Sequence, residues 1–283
     1  MSTIEFRGVG KTFPVRGRAG RNGSREALTA VAGVDLTIGS GEFLTLVGPS
    51  GCGKSTLLDL AAGLAAPTHG QVLVDGEPVT GPGLDRGVVF QQYALLPWRT
   101  ALGNVLLGLE RAGLSRAQRL ERAHEHLELV GLNGFADRYP HELSGGMKQR
   151  VAIARSLAYR PKVLLMDEPF AALDAQTREG LQEEVLRLWA ETSTTVLFIT
   201  HGIDEAVYLG QRVAVMTSRP GTIKAVVEVP VNPLESHGDV RSTPEFVRHR
   251  HAVWELLHDE LDAARSSGPT RLARQEAPTR VAG

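Results

Sequence analysis

Nine residues, Gly48-Pro49-Ser50-Gly51-Cys52-Gly53-Lys54-Ser55-Thr56, have the types and spacing to hold a chain of phosphates. Gly48, Gly53, Lys54 and Ser55 satisfy G-x-x-x-x-G-K-[ST]. Glycines let backbone N–H groups converge on phosphate oxygens without a side-chain clash. A helix that starts at Lys54 adds its own N-terminus as an anion site. Lys54 is then expected to bridge β- and γ-phosphates, Ser55 to ligate Mg²⁺ and Thr56 to reach the α-phosphate. Cys52 fills a free position of the pattern. A helix N-terminus lowers a thiol's pKa, so a reactive role stands beside that of a tolerated small residue.

A second group lies downstream. The apolar run 163–166 ends in Asp167 and Glu168, and α/β sheets place their sites at the C-terminal ends of strands. Asp167 suits a Mg²⁺-holding role. Glu168, one residue on, is placed to polarise an attacking water as a general base. An acidic pair alone is common on surfaces; the phosphate loop upstream gives this one meaning.

The elements that must position these groups are legible as periodicities. Segments 4–6 and 34–38 alternate with period two and read as strands; between them, 16–25 is Gly/Arg-rich and reads as a long flexible hairpin loop. Segment 42–47 reads as a buried strand leading into the glycine-rich turn, and 54–62 as the helix after it. Segment 72–74 is a strand with an Asp75-Gly76 turn, and 88–90 a short buried strand. From about 92 to 160 the pattern is helical. Ser115 and Gln118 form a capping box, ahead of Leu120, Ala123, Leu127 and Val130 at helical spacing. Strands are expected at 163–166, 196–200, 213–216 and 226–229. A helix at 177–191 carries Leu181, Val185 and Leu188 on one face. Thr243 and Pro244 open a last helix with an apolar stripe of Phe246, Val253, Trp254, Leu257 and Leu261. The tail after Ala264 is Pro/Gly-rich and is expected to be disordered. Strands alternating with helices imply an α/β core with a mostly parallel sheet.

Leu143-Ser144-Gly145-Gly146-Met147-Lys148-Gln149, followed by Arg150 and a helix over 151–158, resembles the LSGGQ signature of ATP-binding-cassette (ABC) ATPases, with Met147 where Gln is usual. The other landmarks follow in order: Gln91 matches the Q-loop glutamine, Ala172-Leu173-Asp174 the D-loop and His201 the switch histidine. Phe13 matches the aromatic that stacks on adenine. The resemblance covers about residues 2–230. It implies a P-loop NTPase (RecA-like) α/β core, in a lobe of 1–91 and 161–230, with an antiparallel β subdomain. The helical ABC subdomain is then 92–160, and 231–283 is a C-terminal helix and tail. It also implies two subunits paired head-to-tail with two ATP and Mg²⁺ between them. Lys54 and Ser55 of one would face Ser144, Gly145 and Gly146 of the other, His201 would contact the γ-phosphate, and Gln91 would sense Mg²⁺ and water.

The exposed Tyr/Leu/Pro/Trp character of 92–98 (QYALLPW) suggests a protein contact; in the family this region receives a permease. Segments 81–105, 205–223 and 254–261 resemble importer ATPases for nitrate, sulfonate or taurine. Gly202 stands where Asp is frequent. The partners implied are a second ATPase subunit, membrane permease subunits and, indirectly, an extracytoplasmic solute-binding protein; the place implied is the cytoplasmic face of the membrane. A soluble ABC ATPase without a permease, as in metallocluster assembly, is the alternative. Intact Lys54, Asp167, Glu168 and His201 speak against an inactive binding protein.

Composition bounds these readings. The 283 residues are 42% hydrophobic and 22% charged with net charge -1. That excludes a wholly disordered chain and speaks against a basic nucleic-acid binder; the 26 Arg and 5 Lys are offset by acids throughout. A single cysteine permits no intrachain disulfide and fits a reducing compartment. The N-terminus lacks a signal-peptide core, and no apolar run approaches about 18 residues. His249, His251 and His258, and His124 with His126, are expected to be surface histidines, because i,i+2 neighbours do not share a helix face.

Overall fold

Period-two burial builds the first layer. In the structure, a computed structural model that describes residues 2–19, 25–235 and 238–266, β1 (Ile4–Ala19) pairs antiparallel with β2 (Arg25–Ile38). Ile4, Phe6, Val34, Leu36 and Ile38 face inward. The strands therefore run into the segment read as a loop, and only 20–24 of it lies outside the described residues.

In chain order there follow β3 (Phe43–Val47), α1 (Lys54–Ala62), β4 (His69–Val74), β5 (Glu77–Pro78), β6 (Arg86–Val89), α2 (Ala101–Leu109), α3 (Arg116–Leu129) and α4 (Gly145–Leu157). Then come β7 (Val163–Asp167), α5 (Ala175–Thr192), β8 (Thr195–Ile199), α6 (Ile203–Leu209), β9 (Arg212–Met216), β10 (Ile223–Glu228) and α7 (Pro244–Ser266). Single 3₁₀ turns occupy Pro140–Glu142 and Val240–Ser242.

Strands β2-β1-β4-β5 make an antiparallel sheet. Strands β10-β9-β3-β8-β7-β6 make the second sheet, in which all but β10 run parallel. Strand β3 lies between β8 and β9 and is buried along its whole length. Its alternate residues enter two different cores. Leu44 and Leu46 pack with α1 and the antiparallel layer. Phe43 and Val47 pack with residues of α4 and α5, where Phe43, Phe198, Phe170 and Trp189 form a ring cluster. Each such buried side chain contributes about 1.5–3 kcal/mol.

Register then does the positioning. Leu46 is paired with Ile199, Ile199 with Asp167, and Val89 with Met166. The C-terminal ends of β3, β8, β7 and β6 thus emerge along one edge of the sheet.

The helices between β6 and β7 form around local caps. Thr100 caps α2 and Ser144 caps α4, and Ser115 with Gln118 makes the expected capping box on α3. Each such cap contributes about 1 kcal/mol. The helix after the signature begins at Gly145, earlier than expected, because Ser144 takes the Met147 amide and draws the glycines into the first turn. Residues 92–100 are not helical. Buried Asn104 holds them by accepting from the Leu96 amide and donating to the carbonyls of Leu96, Arg99 and Thr100.

Two further expectations change. Phe90 lies beyond the end of β6 and is exposed. Trp254 is off the buried stripe of α7: Phe246 and Val253 are buried, and a neighbour one residue on is turned by about 100°. It stacks instead between the rings of His251 and His258, at 5.8 and 4.6 Å. The side chain of Leu261 and residues 267–283 lie outside the described residues; the helix itself reaches Ser266, two residues into the expected tail.

Candidate functional site

The phosphate-binding loop connects β3 to α1, as its sequence requires. Gly53 occupies the cap of α1 at φ 107°. A β-carbon there would meet Val31 Cγ1 at 2.5 Å and the Ala30 carbonyl at 3.0 Å, so only glycine fits. Lys54 is buried, and its ammonium donates to the carbonyls of Gly48 (2.8 Å) and Pro49 (3.1 Å). A helix leaves its first amides without intrahelical partners, so the start of α1 offers free N–H groups beside the Lys54 ammonium. That is an anion cradle.

Cys52 lies buried beneath the loop, where a β-carbon on Gly48 would meet its sulfur at 2.9 Å. Burial pushes its thiol up, and Lys54 only partly opposes this. The thiol is therefore a filler rather than the activated nucleophile that a helix start would favour.

Strand β7 delivers Asp167 beside the loop, close to the Ser55 side chain. Burial raises the Asp167 carboxyl, the Ser55 side chain opposes the rise, and the charges of Glu168 and Asp59 add to it. A hydroxyl and a carboxylate near each other at a helix start are the donor set that Mg²⁺ takes in phosphate-binding sites, so the residues present fit that ion.

Glu168 turns away from the sheet. Its φ is 44°, in the left-handed region, and its amide donates to the Ile199 carbonyl at 2.9 Å. One carboxylate oxygen of Glu168 then meets two partners: Gln91 Nε2 donates to it at 3.4 Å and His201 Nδ1 stands 3.2 Å from it. Gln91 and His201, just past the ends of β6 and β8, thus converge on one atom of Glu168, just past the end of β7. A cavity of about 240 Å³ opens beside Glu168 and His201, lined also by Arg178, Glu179, Asp204 and Arg241.

The sequence reading missed what holds His201. Thr200 is buried; its hydroxyl donates to Glu205 and accepts from the Gly202 amide at 3.0 Å. Glu205 also accepts from buried Gln182 at 2.8 Å, and Gln182 in turn accepts from Arg241. The only signal in the sequence was an acidic residue four positions after a candidate histidine.

The remaining predicted residues are placed apart from this cluster. Ser144 is exposed at the start of α4, with Gly145 and Gly146 in its first turn. Among the described residues no hydrogen bond or ion pair links 144–146 to 48–56. Asp174 caps α5 by accepting from the Thr177 amide at 3.0 Å, a bond that lowers its carboxyl. Phe13 lies on β1, 40% exposed, with the Lys11 ammonium 5.2 Å from its ring centre. Ser50 and Gly51 are exposed at the outer side of the loop, Pro49 is half-buried, and Thr56 lies in the first turn of α1.

A phosphate loop after a central strand of a parallel sheet, an acidic pair at the end of β7, with β8 between the two strands, and an inserted helical layer together define a P-loop ATPase core. The ABC transporter family model matches residues 31–171. An ABC transporter ATP-binding protein of Methanocaldococcus jannaschii, itself uncharacterized, is 54% identical over 240 residues, 85% of this chain and 88% of that one. The nitrate import ATP-binding protein NrtD of Synechocystis sp. is 49% identical over 240 residues, covering 83% and 90%. Among solved structures, a dimeric post-hydrolysis ATP-binding cassette bound to ADP and phosphate is 35% identical with a TM-score of 0.68, covering 81% of this chain and all of that one. The chain belongs to the ABC transporter family, as an ATP-binding subunit that hydrolyses ATP.

Proposed function

We propose that this chain powers import of a small anion (nitrate, a sulfonate or taurine) by binding and hydrolysing ATP in a head-to-tail dimer docked on a membrane permease. The observation that carries the chemistry is the convergence of Gln91, Glu168 and His201 on one carboxylate oxygen, beside a loop that ends in buried Lys54. The anion class is supported by the relative named for nitrate import.

In this reading residues 48–56 wrap the phosphates, and Lys54 exchanges the Gly48 and Pro49 carbonyls for β- and γ-phosphate oxygens. Mg²⁺, held by Ser55, Asp167 and Gln91, would neutralise charge on the transferring phosphoryl group. Glu168 accepts a proton from the attacking water. Gln91 orients that water, and His201 donates toward the γ-phosphate. Phe13 stacks on the adenine. Ser144, Gly145 and Gly146 of the second subunit, at an exposed helix start, close the γ-phosphate side, with Asp174 at the same junction. Positioning and charge stabilisation supply most of the rate.

The two lobes, 1–91 with 161–230 and 92–160, divide this work: one holds ATP and the other presents the signature and the permease contact. Around 92–98, Trp98 is 71% exposed while Leu95 packs inward, which supports an outward docking face. No helix among the described residues is long and apolar enough to cross a membrane, so attachment at the cytoplasmic face would come through the permease. Residues 231–283 follow the two lobes.

The test is reconstitution with the permease and solute-binding protein in proteoliposomes. One of nitrate, taurine or an alkanesulfonate, with its binding protein, is expected to stimulate ATP hydrolysis several-fold. Vigorous hydrolysis that no solute or permease changes would favour the permease-free alternative.

A further inference from the structure

One turn touches both the phosphate loop and the C-terminal helix. Residues 217–222, between β9 and β10, close on themselves through Thr217 and Thr222, whose amides each find a partner across the turn at 3.0 Å. The turn is fastened to β2: the Gly221 amide donates to Ala30 (2.9 Å), and the Ala32 amide donates to Gly221 (3.0 Å). From this fixed base Arg219 reaches the phosphate loop. Its Nε and Nη2 both donate to the Gly51 carbonyl, at 3.0 and 2.7 Å. Gly221 lies so close to the Cys52 carbonyl that a β-carbon would collide with it.

The far side of the turn is held by α7. Glu260 accepts from the Ser218 amide at 3.0 Å and meets the Lys224 ammonium at 3.1 Å. The Ser218 hydroxyl donates to the Glu260 carbonyl at 3.2 Å, and Lys224 donates to the Leu256 carbonyl at 2.9 Å. Helix and loop are thus bonded to adjacent residues of the same turn, Ser218 and Arg219.

The loop needs such a hold. The carbonyls of Gly48 and Pro49 are held by the Lys54 ammonium; an amide further along the loop faces the phosphates best when the carbonyls beside it face away. Gly51 has φ 75° and no side chain, and the peptide after it is held on its amide side by the 3.3 Å bond from Cys52 to the Pro49 carbonyl; a rotation there would turn its own carbonyl dipole toward the anion. The forked guanidinium fixes that carbonyl outward with two parallel donors.

We propose that Arg219 is a positioning residue for the nucleotide loop, and that Glu260 secures it, making the C-terminal helix a determinant of nucleotide affinity. This rests on the assignment of residues 48–56 to ATP.

The experiment is equilibrium binding of MgATP to the full chain, with melting curves recorded without nucleotide. Arg219→Ala is expected to weaken binding about 5- to 20-fold, as for loss of an exposed charge-assisted hydrogen bond. Melting should shift by no more than a few degrees. Arg219→Lys, which keeps one donor, recovers part of the affinity. Glu260→Gln weakens binding less than Arg219→Ala, and the double variant is no weaker than Arg219→Ala alone, because the two act in series. Wild-type affinity in Arg219→Ala overturns the proposal, and fully additive losses overturn the link to α7. If Arg219→Ala does not fold, Arg219→Lys and Glu260→Gln decide, and unchanged affinity in both overturns it. A wild-type chain that binds no MgATP overturns the ATP assignment instead.

Discussion

Glu168 occupies a backbone conformation that a side chain bearing a Cβ rarely adopts, at a cost on the order of 1 kcal/mol. The fold holds it there by the bond from its amide to Ile199. The gain is direction: Asp167 stays with Ser55 at the loop, while Glu168 faces Gln91 and His201. Adjacent carboxylates thereby take different work. Glu168→Gln keeps the shape and removes the proposed base. ATP hydrolysis is expected to fall by about 10²–10⁴-fold with ATP binding retained and the ATP-bound dimer accumulating; near-wild-type turnover would show that the base lies elsewhere. The carboxylate pair was legible in the sequence because an apolar run delivered it. The divergence was not, because it arises from one dihedral angle set by a bond to a strand read separately.

At the level of elements, Asp75 shows how the layers are joined. It sits in the turn after β4 and accepts from the Ser2 hydroxyl (2.6 Å), the Thr3 amide (3.0 Å) and Lys162 (3.2 Å), just before β7. The Ser2 bond leads in lowering its carboxyl; slight burial opposes, and Lys162 and Thr3 add to the lowering. A lowered folded-state pKa gives stability that is complete above the ordinary carboxylate value of about 4. That stability is lost as pH falls through the lower folded value. Asp75→Asn is expected to melt about 1–3 °C below wild type between pH 6 and 8, the small size reflecting exposure. The difference should shrink as pH falls below the ordinary carboxylate range and vanish once Asp75 is protonated in the folded state too; one that persists in strong acid would assign the effect to shape, not charge. The Asp75-Gly76 turn was readable from its residue types. Its ion pair with Lys162 spans 87 positions and exists only because two layers meet.

For the whole molecule, the open question in the site is its missing side. Ser144, Gly145 and Gly146 sit at an exposed helix start, without a hydrogen bond to the loop among the described residues. A cap alone does not explain Gly146, where a β-carbon would collide with Thr177 of α5. Close packing of α4 on α5 fixes where that helix start points. If two copies complete each other's sites, hydrolysis per subunit should rise with protein concentration at low concentration. Ser144→Arg should abolish it while a single subunit still binds ATP. A rate per subunit independent of concentration, or loss of ATP binding in the variant, would refute the shared site.

The sequence by itself determined the local chemistry: the glycine-rich loop and its lysine, the carboxylate pair after an apolar strand, and the capping box at Ser115 and Gln118. These depend on neighbours within a few residues, where residue type and period suffice. Tertiary structure alone decided that Gln91, Glu168 and His201 meet on one atom, that Glu205 and Gln182 stand behind the histidine, that Trp254 leaves the buried stripe, and that Arg219 grips the loop. Trp254 follows from the phase of α7 against the fold; the other facts depend on strand order and register, set by burial of both faces of a parallel sheet. No spacing along the chain encodes that two strands 30 or 80 residues apart will lie side by side.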